Sequence, residues 1–306
     1  MAEQIVFNPD PARHTELRLP SPDSFVMPGI QWGRFDAIFT PAYWATQVWI
    51  EEDQHPVSRN RLGNTLLEET VACVLGGHGM PAEICLAAYK RVLDEEILEQ
   101  TEAASEERYF ELLSAPFHKK DGKPVHYRFA RQKSIYLAKI HAAFVEADLP
   151  LEDIELRDWL LSLPGIGPKT ASWVVRNFTG SDRVAILDIH IHRAGLLAGF
   201  FNGTHRIDRH YSEMESRYLE FAQALSVKAS ILDGVMWTHM RQAPSIVRGQ
   251  LDYHVHGIRE PQSGSQIQLG LQLGDEASSY ASQSVTGIKN AFNLGIPGGA
   301  KRYATQ

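Results

Sequence analysis

Apolar residues recur at helical spacing along most of this chain. Leu66, Leu67, Thr70, Val71, Val74 and Leu75 keep a three-to-four-residue step and halt at Gly76-Gly77-His78-Gly79, which predicts a helix with a glycine stop. Pro81 opens a second helix over 82–98, with Ile84, Leu86, Ala87, Val92 and Leu93 among its apolar positions. The same period predicts helices over 106–113, 131–147, 155–163, 169–178, 188–198, 208–225 and 229–241. Strand-like alternation is nearly absent between residue 60 and the tail, so the expected fold class is mainly α, a two-lobed helical body with short connections.

Both ends break this pattern. Residues 1–60 are rich in Pro, Trp and Phe without a long periodic run, which predicts an irregular or short-strand N-terminal cap packed on something larger. From 261 to 306 the composition turns to Ser, Gln and Gly, a tail that buries little apolar surface. Within it Ile267, Leu269, Leu271 and Leu273 alternate with Gln and Gly, as a short strand would. The expected division is a cap over 1–60, a helical core over 61–260 and the tail.

At 306 residues, with 43% hydrophobic and 22% charged, the chain is long enough for one large two-lobed unit or two domains, and its composition excludes global disorder, collagen-like repeats and a coiled coil. Two cysteines, Cys73 and Cys85, are too few for a disulfide framework or for a four-cysteine zinc or iron–sulfur site. The N-terminus carries no basic segment followed by an apolar run, and no stretch approaches 18 apolar residues, so a cytoplasmic location without membrane contact is expected.

The formal charge of −7 speaks, at face value, against a nucleic-acid binder. Its distribution changes that picture. Residues 94–107 hold seven acidic side chains and no Lys or Arg, whereas 118–141 hold seven basic ones (Lys119, Lys120, Lys123, Arg128, Arg131, Lys133, Lys139) against Asp121 alone. Tyr127, Phe129 and Tyr136 interleave with these cations, a pattern suited to nucleic acid, although a charge run is as often a solvated helix face. Lys169, Arg176, Arg183 and Arg193 extend the basic set, and the acidic total still predicts weak, salt-sensitive non-specific binding.

Candidate chemistry concentrates in Leu163-Pro164-Gly165-Ile166-Gly167-Pro168-Lys169-Thr170-Ala171 and in Val184-Ala185-Ile186-Leu187-Asp188-Ile189-His190-Ile191-His192. A helix ending near Leu163, a tight Gly165-Ile166-Gly167 turn and Pro168 at a first helical position together read as a helix–hairpin–helix over 155–178. Its glycines let backbone N–H groups approach a phosphate, which the positive end of the second helix also attracts. Lys169 stands in the first turn of that helix, where the dipole disfavours a protonated amine and favours a nucleophile. Asp188 follows a short apolar run and precedes a helical segment, so it is placed to be an N-cap, and it could be both cap and catalyst, since a carboxylate near a sugar C1′ stabilises developing oxocarbenium charge.

These residues resemble the helix–hairpin–helix DNA glycosylases, and within them the 8-oxoguanine DNA glycosylase/lyase branch, in the LPGIGPK segment, in Lys169, and in an aspartate 19 residues later followed by Ile-His. The resemblance is clearest over 120–200. It implies that Lys169 attacks C1′ and displaces a modified purine with Asp188 assisting, and that the resulting Schiff base permits β-elimination of the 3′ phosphate. It implies further that the target nucleotide is flipped out of double-stranded DNA, with Tyr127 wedged beside the orphaned partner base, an arginine of the Tyr127-Arg128-Phe129-Ala130-Arg131 segment reading that base, Arg128 and Arg131 both binding DNA, and His78 or Met80 on a groove-inserting turn. Gly165, Gly167 and His190 would contact phosphate, and a monovalent cation would sit on the hairpin carbonyls. Trp173, Asp233 and Trp237 would line the base pocket, Asp233 and Trp237 sharing one helix face, and a ring as large as Trp173 is a departure from the branch.

The pair His190 and His192 can also be read as metal ligands, but that chemistry needs a strand end and further ligands, so no metal and no other cofactor is expected. A short N-terminal region and the acidic net charge keep a second class open: a glycosylase-fold protein that recognises a modified or deazaguanine-like base or nucleotide within a multi-protein system such as antiviral defence. Each alternative for a single residue is structural, with Tyr127 a packed aromatic, Trp237 a core ring and Asp233 an ion-pair partner. The expected partner is double-stranded DNA with a flipped modified base, joined in the second class by a protein, and the chain itself is expected to be a monomer.

Overall fold

The computed structural model describes residues 2–10, 15–51, 61–77, 79–118, 122–149 and 152–256, with side chains in the last helix described as far as residue 252. His78, Lys119, Lys120, Asp121 and the 261–306 tail with its alternating Ile267 to Leu273 stretch lie outside these residues. The described chain is mainly helical. Its helices are α1 (Pro41–Glu51), α2 (Leu66–Leu75), α3 (Ala82–Asp94), α4 (Glu106–Ser114), α5 (Ala130–Glu146), α6 (Asp153–Leu161), α7 (Pro168–Thr179), α8 (Ile189–Ala198), α9 (Tyr211–Ala224), α10 (Ala229–Gln242) and α11 (Pro244–His256). Antiparallel pairs are formed by β1 (Gln4–Phe7) with β2 (Glu16–Leu19), β3 (Phe25–Met27) with β4 (Ile30–Gln31), and β5 (Phe117–His118) with β6 (Pro124–Val125).

Periodicity locates α2 to α10 to within a few residues, and the second helix ends earlier than its apolar run suggests. Glu96 takes a left-handed conformation (φ 52°) and Ile97–Glu99 continue as a short 3₁₀ turn. The reading of 1–60 as an irregular or short-strand cap agrees with β1 to β4 but misses α1, which buries Pro41, Ala42, Trp44, Ala45, Thr46 and Val48 and so shows little amphipathic contrast. Before it, Gln4 ties the strand pairs to the chain that follows. Its amide nitrogen donates to the carbonyls of Pro20 (2.9 Å) and Gly33 (3.0 Å), and its oxygen accepts from the Phe35 N–H (3.0 Å).

Two hydrophobic clusters make the two lobes. One joins the N-terminal strands, α1 and α8 to α11, and the other joins α2 to α7. The chain passes back from the second cluster to the first in one short irregular stretch, since Val184 belongs to the second while Ala185 and Leu187 belong to the first. Asp188 comes immediately afterwards.

The hairpin before α7 is set by glycine. Gly165 has φ +77°, and a Cβ there would lie 2.1 Å from Cδ2 of Tyr136 on α5, so the turn needs glycine both for its backbone and for the ring packed over it. Gly167 is the N-cap residue, Pro168 follows at the first helical position, and no atom lies within 4 Å of a Cβ built on Gly167. The backbone at the start of α7 is thus open to an approaching ligand.

His141 on α5 is wholly buried. Its Nδ1 accepts from the Ala104 N–H (3.2 Å) and lies 3.0 Å from the Tyr109 hydroxyl, whereas Nε2 is buried without a partner. Burial holds its pKa below that of an ordinary histidine. Below about pH 6.5 the unfolded chain therefore binds a proton that the folded protein resists, so stability is complete above that pH and falls as pH drops toward the folded-state value. Thermal melting followed from about pH 7.5 to 5.5 should show this loss. It should be smaller in His141→Gln, and an identical slope in the two proteins would remove His141 from the account.

Candidate active site

The site is built around the start of α7. A cleft of about 520 Å³ opens there, and its lining includes Cys73, Gly76, Lys169, Trp173, Arg209 and Tyr211, together with the hairpin glycines Gly165 and Gly167. Lys169 is half-buried, with Nζ 5.9 Å from the Trp173 ring centroid. Trp173 reaches across to the end of α2, where a Cβ on Gly76 would stand 3.2 Å from the edge of the indole. The glycine that stops α2 therefore also makes room for the large ring beside the lysine.

Asp188 is the N-cap of α8. Its Oδ1 accepts from the N–H groups of His190 (2.8 Å) and Ile191 (3.0 Å), which fixes the side chain and leaves Oδ2 as the oxygen that can face a ligand. His190 is half-buried, its ring edge-on to Trp237 with centroids 6.0 Å apart, and its Nδ1 is buried without a partner. Burial lowers the His190 pKa. Asp188 opposes that effect, and Arg193, Arg241 and Lys169 reinforce it, so these side chains share one electrostatic neighbourhood. Arg241 lies over the Trp237 ring at 4.8 Å. Trp237 is 36% exposed, so it belongs to the surface rather than the core.

The structure thus brings Lys169, Gly165, Gly167 and Trp173 together in the cleft lining, and gathers Asp188, His190 and Trp237 with one another outside that lining. Two other expectations change. Tyr127 is 3% exposed and its hydroxyl donates to the Leu75 carbonyl at 2.7 Å, so in this conformation it is not a wedge but a cap on a helix-end carbonyl of α2. Asp233 does not share the exposed face of Trp237. It is buried in an ion pair with Arg176, which commits its carboxylate to the core instead of to a guanine edge. Burial lowers the pKa of the Arg176 guanidinium, which makes its partner more necessary.

The basic set shrinks accordingly. Arg176 is paired in the interior, Arg183 pairs with Asp153 (2.6 Å), and Lys133 is 3% exposed with its pKa lowered by burial. Arg128 and Arg131 remain exposed, lying over the rings of Phe129 (4.4 Å) and Phe110 (5.5 Å). His78, the proposed groove residue, is outside the described residues, and Met80 packs partly buried on the α2 to α7 cluster. Among the described residues, no group of three or more His, Cys, Asp or Glu side chains could hold a metal ion. No described helix is long and apolar enough to cross a membrane.

Sequence reasoning passed over the groups that hold α7 in place. Buried Glu215 on α9 accepts from Ser172 Oγ (3.1 Å), the Ala185 N–H (2.8 Å) and Arg157 (2.9 Å). Glu69 on α2, with no exposed surface, accepts from Asn177 Nδ2 (3.0 Å) and from the N–H groups of Leu62 (2.7 Å) and Gly63 (2.8 Å). A signal for both was present. Each is a carboxylate set among apolar helix positions, Glu215 beside Met214 and Tyr218, Glu69 beside Leu66 and Val71.

Residues 52–227, which include Lys169 and Asp188, match the family model described as 8-oxoguanine DNA glycosylase. Among solved structures, the chain is similar to the 8-oxoguanine DNA glycosylase of Methanocaldococcus jannaschii, at 21% identity and TM-score 0.49 over 66% of this chain and 94% of that one. It is similar also to the 8-oxoguanine DNA glycosylase of Thermotoga maritima, at 21% identity and TM-score 0.48 over 65% and 96%. A further similar structure is the M. jannaschii 8-oxoguanine glycosylase/lyase in complex with a 15mer DNA containing 8-oxoguanine, at 20% identity and TM-score 0.49 over 65% and 98%.

The Arg176–Asp233 pair gives a direct test of the corrected role of Asp233. Asp233→Asn should destabilise the fold by about 3 kcal/mol in urea denaturation, because it leaves a buried guanidinium without its counter-charge. An unchanged urea midpoint would return Asp233 to the pocket.

Proposed function

Because the chain belongs to the 8-oxoguanine DNA glycosylase family, we propose that it excises an oxidised or modified purine, 8-oxoguanine or a base like it, from double-stranded DNA and then cleaves the strand as a lyase. One observation carries this reading: the single cleft-lining lysine among the described residues, Lys169, stands in the first turn of α7, where Gly167 leaves the backbone open to a ligand.

The chemistry follows from these groups. The neutral amine of Lys169 attacks C1′ of a nucleotide flipped out of the duplex, and the bond between C1′ and the base breaks, the base leaving with the electron pair and taking up a proton. The Asp188 carboxylate stabilises the positive charge that develops on the sugar as this bond lengthens. The sugar ring then opens to a Schiff base between C1′ and Lys169, loss of a C2′ proton expels the 3′ phosphate, and water hydrolyses the imine to free the enzyme. The open backbone at Gly167 suits a DNA phosphate at the positive end of α7. A monovalent cation on the hairpin carbonyls would add one positive charge against that phosphate, and no step requires it.

Borohydride reduction in the presence of duplexes carrying 8-oxoguanine or other modified purines should trap a covalent protein–DNA adduct. Lys169→Ala should abolish it. Asp188→Asn keeps a helix cap and should lower base release by about 10²- to 10³-fold while leaving DNA affinity nearly unchanged. Binding of a modified duplex without any adduct would replace this reading with a recognition protein of the same fold, and an unaffected rate in Asp188→Asn would reduce Asp188 to a cap.

A further inference from the structure

We propose that Tyr211 is a positioning residue for Asp188, acting through the backbone that delivers the carboxylate; this rests on the glycosylase reading above. Residues 184–187 lack regular secondary structure, so their peptide groups have no ladder or helix to bond. Two side chains of α9 take that role. The Tyr211 hydroxyl donates to the Ala185 carbonyl at 2.6 Å and accepts from the Leu187 N–H at 3.2 Å, and Glu215 Oε1 accepts from the Ala185 N–H at 2.8 Å. Tyr211 and Glu215 are one turn apart on the same helix face. The Ile186–Leu187 peptide group, one short of the peptide that joins Asp188, is therefore anchored to a phenol that also lines the Lys169 cleft.

The anchoring reaches the lysine as well. The oxygen of Glu215 that holds Ala185 also accepts from Ser172, three residues beyond Lys169 on α7. The start of α9 thus references the aspartate segment and the lysine helix to one frame. Burial raises the Tyr211 pKa, which keeps the phenol protonated and able to donate. A phenylalanine would fill the same space, but it would leave the Ala185 carbonyl and the Leu187 N–H without this partner, next to a carboxylate whose position matters most while the glycosidic bond breaks.

Glycosidic cleavage uses both Lys169 and Asp188, whereas Schiff-base formation at a pre-formed abasic site has no base to expel. Tyr211→Phe in the full chain should therefore slow single-turnover base release about tenfold, with strand cleavage at a pre-formed abasic site and DNA affinity each within about twofold of wild type. Incorporation of 4-aminophenylalanine in place of Tyr211, which keeps a donor and an acceptor at that point, should restore base release. Equal losses in both steps, no loss in either, or a failure of the amino analogue to rescue would overturn the proposal. A wild-type protein that neither releases a base nor cleaves an abasic site would instead fail the glycosylase reading and take this inference with it, so the two failures are distinct.

Discussion

Helix α7 is fixed by three polar side chains, each bonded to a buried carboxylate from a different helix. Ser172 donates to Glu215 of α9, Arg176 pairs with Asp233 of α10, and Asn177 donates to Glu69 of α2. Burying carboxylates is expensive, and apolar side chains of similar volume would fill the space at less cost. Hydrogen bonds, however, have direction. Apolar packing alone would leave α7 free to rotate or slide by a fraction of a turn between the two clusters, while three directed contacts spread over Ser172, Arg176 and Asn177 define one setting.

The setting of α7 decides where Lys169 points, and the surrounding features depend on it. The Gly165 turn packs beneath Tyr136, Gly167 leaves the helix start open, and Gly76 admits the Trp173 indole beside the lysine. The chain then crosses back from one cluster to the other just before Asp188, so the helix that carries Lys169 packs in one cluster and the helix that Asp188 caps packs in the other. Charge follows the same geography. The net value of −7 describes neither the acidic stretch at 94–107 nor the site, where Lys169, Arg193 and Arg241 surround His190 with Asp188 as the opposing charge in that set. Some of the cations that looked available in the sequence are spent on structure, Arg176 on Asp233 and Arg183 on Asp153.

The sequence made α2 to α10 legible because their apolar residues keep the helical period, and it made Lys169 and Asp188 legible because their identifying context is local: a glycine turn, a proline at a helix start, and an apolar run ending at a cap. It did not reveal α1, which is buried on most sides, or α11, where Gly249 interrupts a weakly apolar run. The roles of Tyr127 and Asp233 were misread for a different reason. Each is decided by a partner far away in the chain, the Leu75 carbonyl 52 residues from Tyr127 and the Arg176 guanidinium for Asp233. A motif can state which residue type stands at a position, but not which distant group claims it. The same limit hid Tyr211 and Glu215, whose importance lies in the backbone of another segment.

The framework around α7 sets one lysine, Lys169, in the lining of the cleft. Proteolysis of the borohydride-reduced protein–DNA adduct followed by mass spectrometry of the modified peptide should find the nucleotide remnant on Lys169. An adduct on the buried Lys133 or on the N-terminal amine, with Lys169 unmodified, would contradict Lys169 as the nucleophile.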